Sequence, residues 1–327
     1  MKFDDFIIVG NPPYQKMDGG FGTSATPLYN EFVDFAKSLN PEFICMIIPS
    51  RWFTGGKGLD KFRKSMINDP QIRIIEDFPD TKDKNGNEIF PDAEIKGGVS
   101  YFIWKRGSSG LCIFNGGERV LNEECQKGVL IRYNDAIPIL RKLNFFCNSF
   151  NIITLDTKVI GRNPFGFPTT YKGTTTRDAN SLRLWARDSS ETYVNSSEIT
   201  KGHDLIPKWK VLLAKASEGS GKVPNRICGQ PIIAGPNEVC TDTYLVIDVF
   251  DTEAETNNFR SYIRTKFFRF LLGILKTTQD ANKDKFALIP AMNMAHKWSD
   301  IQLYSYFNLS EKEQRFIESM ILDMPID

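Results

Sequence analysis

The chain has 327 residues, long for one domain and comfortable for two. With 41% hydrophobic and 25% charged residues, it has the composition of an ordinary globular protein rather than a disordered or fibrous one. A formal net charge of +1 gives no global sign of nucleic-acid binding, so any such signal must be local. The six cysteines (Cys45, Cys112, Cys125, Cys147, Cys228, Cys240) form no Cys-x-x-Cys pair, and His203 and His296 are the only histidines. That argues against a zinc site and for reduced thiols in a cytoplasmic protein. No signal peptide and no apolar run of membrane-spanning length is visible.

The first element is a buried strand, Phe6–Val9, running through Gly10 into Asn11-Pro12-Pro13-Tyr14. Two prolines fix φ and remove two amide donors, so the loop is stiff and its carbonyls are left as acceptors. Asn11 adds a side-chain carbonyl, and Tyr14 a flat face with a polar tip. Such a loop can grip a planar group bearing an exocyclic NH2, with two acceptors for its hydrogens and a ring to stack on. The polar, glycine-rich stretch 15–26 follows. A helix is expected from Pro27 or Leu28, with Leu28, Phe32, Phe35, Ala36 and Leu39 on its buried face and Asn40-Pro41 as its stop.

A buried strand at Phe43–Ile48 ends in Pro49-Ser50-Arg51-Trp52-Phe53, and a loop with Gly55, Gly56 and Gly58 leads to a helix at about Leu59–Ile67. Strands follow at Ile72–Phe78 and Gly98–Trp104, and the turn-rich segment between them permits an antiparallel pair. Further on come strand-like pieces at Leu111–Phe114 and Val129–Ile131 and a helix near Asp135–Phe146. Residues 158–226 carry twelve Lys/Arg against six Asp/Glu. Lys158, Arg162, Lys172, Arg177, Arg183, Lys208, Lys210, Lys215, Lys222 and Arg226 alternate there with Phe165, Phe167, Tyr171, Trp185, Tyr193 and Trp209. This pattern is expected to contact double-stranded DNA, the cations neutralising phosphates. A strand at Thr243–Phe250, one helix at Asn257–Leu275, and a final helix capped by Ser310 with Glu313 complete the reading.

Asn-Pro-Pro-Tyr behind a hydrophobic strand resembles the catalytic motif of S-adenosylmethionine-dependent amino-methyltransferases. Chiefly, it resembles the Eco57I-like adenine-N6 modification methylases of restriction–modification systems. Met46–Phe53 is similar to that family's strand and loop beside the pocket, and Gly97–Phe102 to its late motif. The resemblance implies an α/β fold in which 1–107 is the second half of a Rossmann-like methyltransferase sheet. Residues 108–327 would be a mixed α/β target-recognition domain. It also implies that Asn11 and the Pro12 carbonyl, presented by Pro13, accept from the target amine while Tyr14 stacks on a flipped base. Tyr101 or Phe102 closes the base's other face or belongs to the core.

The family's glycine loop and acidic residue for the cofactor are not found in this chain. Neither Gly161-Arg162-Asn163 nor Gly219-Ser220-Gly221 has the strand and helix such a loop needs. Binding of S-adenosylmethionine by this chain alone is therefore doubtful, and the first strand is expected to present an open edge. The expected partners are DNA and an N-terminal methyltransferase half or a restriction subunit, with no membrane. Two other readings stay open: a DNA-recognition fragment without catalysis of its own, and a protein-glutamine N-methyltransferase. Two short patterns are set aside. Pro79-Asp80 with Glu94-Ile95-Lys96 spells a nuclease site but lies in a loop between strands. Gly219-Ser220-Gly221-Lys222 lacks the first glycine and the hydroxyl of a phosphate loop, having Ala216 and Val223 there.

Overall fold

The structure is a computed structural model. It describes residues 5–16, 26–56, 58–83, 85–91, 95, 97–125, 127–187, 191–217, 223–276 and 279–325. The pattern Glu94-Ile95-Lys96 and the run 218–222, with Lys222, fall wholly or partly outside the described residues. The chain divides into two units, Met1–Ile137 and Pro138–Asp327.

The first unit is a mixed α/β layer. In chain order it holds β1 (Ile7–Gly10), β2 (Gln15–Lys16), β3 (Thr26–Pro27), α1 (Tyr29–Ser38), β4 (Phe43–Pro49), α2 (Asp60–Ile67), β5 (Ile72–Phe78), β6 (Val99–Lys105), β7 (Cys112–Phe114) and β8 (Gly117–Arg119). Six strands form one sheet in the order β1-β4-β6-β5-β7-β8, and β2 pairs β3 in a separate short ribbon. β1 is parallel to β4, β6 runs antiparallel between β4 and β5, and β7 is parallel to β5. The expected antiparallel pair is thus present.

Alternation along β4 and β6 sends Ile44, Met46, Ile48, Phe102 and Trp104 to one face, where α1 and α2 cover them. α1 buries Tyr29, Val33 and Ala36, and α2 buries Phe62, Met66 and Ile67. Burying each large apolar side chain of this kind contributes roughly 1.5–3 kcal/mol.

α1 corrects the expected stripe. Phe32, Phe35 and Leu39 are exposed, and the core takes Tyr29, Val33 and Ala36 instead. Aromatic residues lie on both flanks of this helix, so spacing alone did not choose between them. Val129–Ile131 forms no named strand, although Leu130 is buried and its amide donates to the Phe53 carbonyl. The sheet continues past residue 107, because β7 pairs with β5 and β8 closes a hairpin on β7. The structural boundary therefore falls at 137/138.

The second unit begins within α3 (Ala136–Ser149). It continues with β9 (Ser181–Trp185), β10 (Thr192–Asn195), β11 (Trp209–Ala214), β12 (Ile232–Ala234), β13 (Glu238–Cys240) and β14 (Tyr244–Phe250). Four helices follow: α4 (Glu253–Arg264), α5 (Lys266–Leu275), α6 (Asp300–Tyr306) and α7 (Glu311–Met320). Its two three-stranded sheets, β10-β9-β13 and β12-β11-β14, share a core containing Leu184, Val194, Leu212, Val239 and Val246.

The single helix expected at 257–275 is two helices. Thr265 is extended (φ −64°, ψ 149°), and its hydroxyl accepts from the Phe268 amide at 3.1 Å, capping α5. The capping box of Ser310 and Glu313 is present at α7. No helix among the described residues is long and apolar enough to cross a membrane.

Candidate functional site

Residues 11–14 leave the carboxyl end of β1, where loops following parallel strands gather. Pro12 is buried and anchors the loop, whereas Asn11 and Pro13 are exposed. Among the described residues the Asn11 side chain makes no hydrogen bond, and no donor reaches the Pro12 carbonyl. Both acceptors are free of partners among the described residues. Tyr14 is half-buried; its carbonyl accepts from the Leu28 amide at 3.1 Å, which ties the loop to the start of α1. Its ring meets Phe90 edge-on, centroids 6.4 Å apart. Its hydroxyl is buried without a partner among the described residues, and burial raises its pKa to about 12. A tyrosine so placed offers a neutral ring, not a phenolate.

The neighbouring strand ends are fixed by a buried polar cluster that sequence reasoning missed. Ser50, after β4, donates to Asp77 Oδ1 at 2.6 Å, and Arg132 Nε lies 2.6 Å from Oδ2. The Asp77 amide donates to Asn115 Oδ1 at 2.7 Å, and Arg132 Nη2 donates to the Gly97 carbonyl at 2.6 Å. Burial pushes the Asp77 carboxyl up from its ordinary value, against Arg132 and Ser50, which pull it down. Gly98 has φ +81°, and a Cβ there would stand 2.3 Å from the Phe78 carbonyl, so only glycine lets β6 start so close to β5. The signals in the sequence were an acid ending a strand and a paired glycine before the next.

Tyr101 and Phe102 separate cleanly. Phe102 is 1% exposed inside the core, which excludes it as a stacking partner. Tyr101 points to the other face, half-buried, with its ring 6.2 Å from Phe78. Since Gly10 is level with Met46 and Phe102, Tyr101 stands one residue further along, two strands and about 10 Å across from Asn11.

A resident S-adenosylmethionine would need a glycine turn and a ribose-binding carboxylate. Among the described residues, Asp77 ends a strand, but its side chain is fully buried and committed to Ser50 and Arg132. The glycines ahead of α2 follow Trp52 and Phe53, which fill the core, and Arg63 takes up the Trp52 and Gly55 carbonyls at 3.3 Å. These residues do not fit the cofactor.

In the second unit the expected basic window is partly neutralised. Lys210 is fully buried, and its Nζ donates to the carbonyls of Leu205, Ile206, Lys208 and Gly235 at 2.6–3.4 Å. Burial lowers its pKa to about 8. It cannot reach a phosphate, and it leaves the set of DNA contacts.

Lys158 pairs with Asp248 at 2.8 Å, Arg183 with Glu238 at 3.5 Å, Lys208 with Asp251 and Lys215 with Asp242. Arg162, Lys172, Arg177 and Arg226 remain exposed, without a carboxylate partner among the described residues. Because Leu182, Leu184 and Val194 face the core, Arg183, Trp185 and Tyr193 share the outer face of β9 and β10. Arg183 stacks on Trp185 at 4.2 Å and Arg177 lies over Tyr193 at 5.7 Å. The arrangement is a basic, aromatic sheet face.

Residues 1–83 match the family model described as Eco57I restriction-modification methylase. An uncharacterized adenine-specific methylase of Mycoplasma pneumoniae (strain ATCC 29342 / M129 / Subtype 1) is 37% identical over 118 residues. That match covers 35% of this chain and 26% of the relative, so the chain spans about a quarter of its length. Among solved structures, the type IIG restriction endonuclease BpuSI matches 90% of this chain and 44% of its own, at 11% identity and TM-score 0.33. The DrdV–DNA complex matches 95% of this chain and 43% of its own, at 11% identity and TM-score 0.37. The type I restriction-modification methyltransferase subunit from Streptococcus thermophilus matches 45% and 32%, at 16% identity and TM-score 0.24.

Proposed function

We propose that this chain supplies the target-amine grip and a DNA-reading region of an S-adenosylmethionine-dependent, site-specific DNA adenine-N6 methyltransferase of a restriction–modification system. The observation that carries the proposal is the pair of unoccupied acceptors, Asn11 Oδ1 and the Pro12 carbonyl, within a segment matching the Eco57I-type family. The strand order β1-β4-β6-β5 with β6 reversed supports reading the first unit as the second half of a Rossmann-like sheet.

Each N6 hydrogen of adenine would be accepted by one of the two carbonyl oxygens. Holding both draws the nitrogen lone pair out of conjugation with the ring, which makes it a nucleophile without a general base. The Tyr14 face would stack on the base once it has left the duplex. Alignment then accounts for most of the rate. The methyl group would come from S-adenosylmethionine held by other residues, with S-adenosylhomocysteine leaving and the methylated nitrogen then losing its extra proton to water. Partners that complete such an enzyme are double-stranded DNA and an N-terminal methyltransferase half or a restriction subunit.

The test is Asn11→Ala in the assembled enzyme. Loss of one oriented hydrogen-bonding group in a catalytic site lowers turnover by roughly 10²–10³-fold. Methyl transfer to duplex DNA should fall that far while DNA affinity is retained. Wild-type turnover would make the loop a structural turn and end the proposal.

With Asp77 committed to Ser50 and Arg132, that carboxylate is not available to hold the cofactor ribose. By calorimetry, this chain alone should take up no stoichiometric S-adenosylmethionine at micromolar cofactor; stoichiometric uptake would place a cofactor site within it.

A further inference from the structure

The turn Ser50–Phe53, which follows β4, presents an unspent cation to solvent. From Ile48 to Thr54 every residue is buried except Arg51. Its neighbours are pinned: Ser50 donates to Asp77 Oδ1 at 2.6 Å, and Trp52 and Phe53 fill the core. The Arg51 carbonyl accepts from the Gly55 amide at 3.1 Å. A backbone fixed on both sides sends one guanidinium outward. Its stem lies over Gly97, where a Cβ would stand 3.4 Å from Arg51 Cγ. Two neighbouring arginines are used by the fold. Arg63 pairs with Asp60 and donates to the Trp52 and Gly55 carbonyls, and Arg132 holds Asp77 and the Gly97 carbonyl. Arg51 has no hydrogen bond, ion pair or ring contact among the described residues.

β4 runs parallel to β1 with Met46 level with Gly10, so this turn and the loop 11–14 leave the same end of the sheet. The Tyr14 carbonyl holds the Leu28 amide, one residue before Tyr29. Burial raises the pKa of Tyr29, and the charges of Arg51 and Arg63 oppose that rise, which puts both cations near its hydroxyl. Arg51 thus stands between the start of β6 and the start of α1, beside the target-amine grip.

A nucleotide that delivers its base to Asn11 and Tyr14 carries a phosphodiester to the rim of the loop. Guanidinium and phosphate pair through two parallel hydrogen bonds, and a fixed backbone leaves little to order on contact. Extrusion costs unstacking and unpairing. A cation that meets the phosphate only after the strand has turned outward offsets that cost without tightening the stacked complex. We infer that Arg51 is a substrate-positioning residue, its guanidinium taking the phosphodiester beside the target adenosine and so favouring the extruded base. The inference rests on the methyltransferase reading and concerns the target nucleotide, not the duplex that the cations of 158–226 would meet.

The experiment uses the assembled enzyme and the adenine it modifies, located by sequencing DNA that the wild type has methylated. Arg51→Ala should slow single-turnover methylation of a matched duplex by roughly 10–100-fold, the range of a hydrogen bond to a charged group. Melting temperature and DNA affinity should stay nearly unchanged. Arg51→Lys keeps the stem over Gly97 and the charge but not the planar fork, and should recover part of the rate. Opposite an abasic site the target base is already unpaired, so most of the Arg51→Ala defect should vanish. Asn11→Ala should remain slow there, because its loss is at the reacting nitrogen. Replacing the flanking phosphates one at a time by uncharged methylphosphonate should find one that slows the wild type by the same factor and Arg51→Ala no further.

A defect of the same size opposite the abasic site, or methylphosphonate losses that add in full to that of Arg51→Ala, would each overturn the inference. Methylation that Arg51→Ala leaves at the wild-type rate would overturn it alone. A wild-type enzyme that methylates no adenine would remove the functional reading and the inference with it.

Discussion

Between Gly10 and Tyr14 the fold leaves acceptors free of partners among the described residues, whereas across 158–226 it consumes five of the twelve cations. The loop keeps its character because two prolines and the anchored Tyr14 carbonyl set the backbone locally, whatever packs around them. The basic window has no such local constraint. Each lysine there is a charge whose partner is chosen by tertiary packing, and Lys158, Lys208, Lys215 and Arg183 all find carboxylates. A motif written in backbone geometry survives folding better than one written as a count of charges.

The largest effect expected in the first region comes from Asp77→Ala. It leaves Arg132 buried beside an empty site and frees the end of β4, and breaking a buried pair in this way costs about 3–5 kcal/mol. Thermal unfolding should drop sharply, and the exchange protection of residues 99–101 should fall with it. A near-wild-type melting temperature would mean that the strand ends beside the loop are held by something else.

Much of this contrast could be read from the sequence. The strand–helix order of the first unit, the reversed β6 and the Ser310–Glu313 cap followed from local pattern, since each is decided by neighbours in the chain. The face of α1 did not. It bears apolar residues on two flanks, and only the position of β4 and α2 selects Tyr29, Val33 and Ala36. Thr265 ends one helix and caps the next, a break hidden by helix-forming residues on both sides. At the candidate site, Asn11 and Tyr14 were legible because the motif is contiguous. Arg132 and Phe90 were not, because what joins them to Asp77 and Tyr14 is contact between segments distant in the chain.

Lys210 sharpens the comparison from the other side, as a cation turned wholly structural. Its pKa is about 8 in the fold against an ordinary 10.5. Between those values the unfolded chain binds more protons than the folded one. Stability attributable to this residue therefore rises as pH climbs from about 8 to 10.5. Measured as the difference between wild type and Lys210→Met, chemical-denaturation stability should move in favour of wild type over that window. A flat difference would show that the four carbonyls hold the ammonium at its ordinary pKa. Neither protein should differ from the other in DNA affinity.

The smallest expected effects are on DNA binding, and they decide which cations belong to the face. If exposed Arg162, Lys172, Arg177 and Arg226 meet phosphates, removing one removes one released counterion. The slope of log affinity against log salt should then fall by about 0.9 per residue. Arg177→Ala and Arg162→Ala should show that change, with a similar loss on all duplex sequences. Lys208→Ala and Lys215→Ala remove cations already balanced by Asp251 and Asp242, and should leave the slope nearly unchanged. Arg183 falls between the two sets, being both paired with Glu238 and stacked on Trp185. Its replacement by Lys keeps the charge and loses the planar stack, so it should weaken binding at a constant slope. Equal slopes for all five alanine and lysine variants would show that this face does not touch the DNA backbone, and the reading region would have to be sought elsewhere in the second unit.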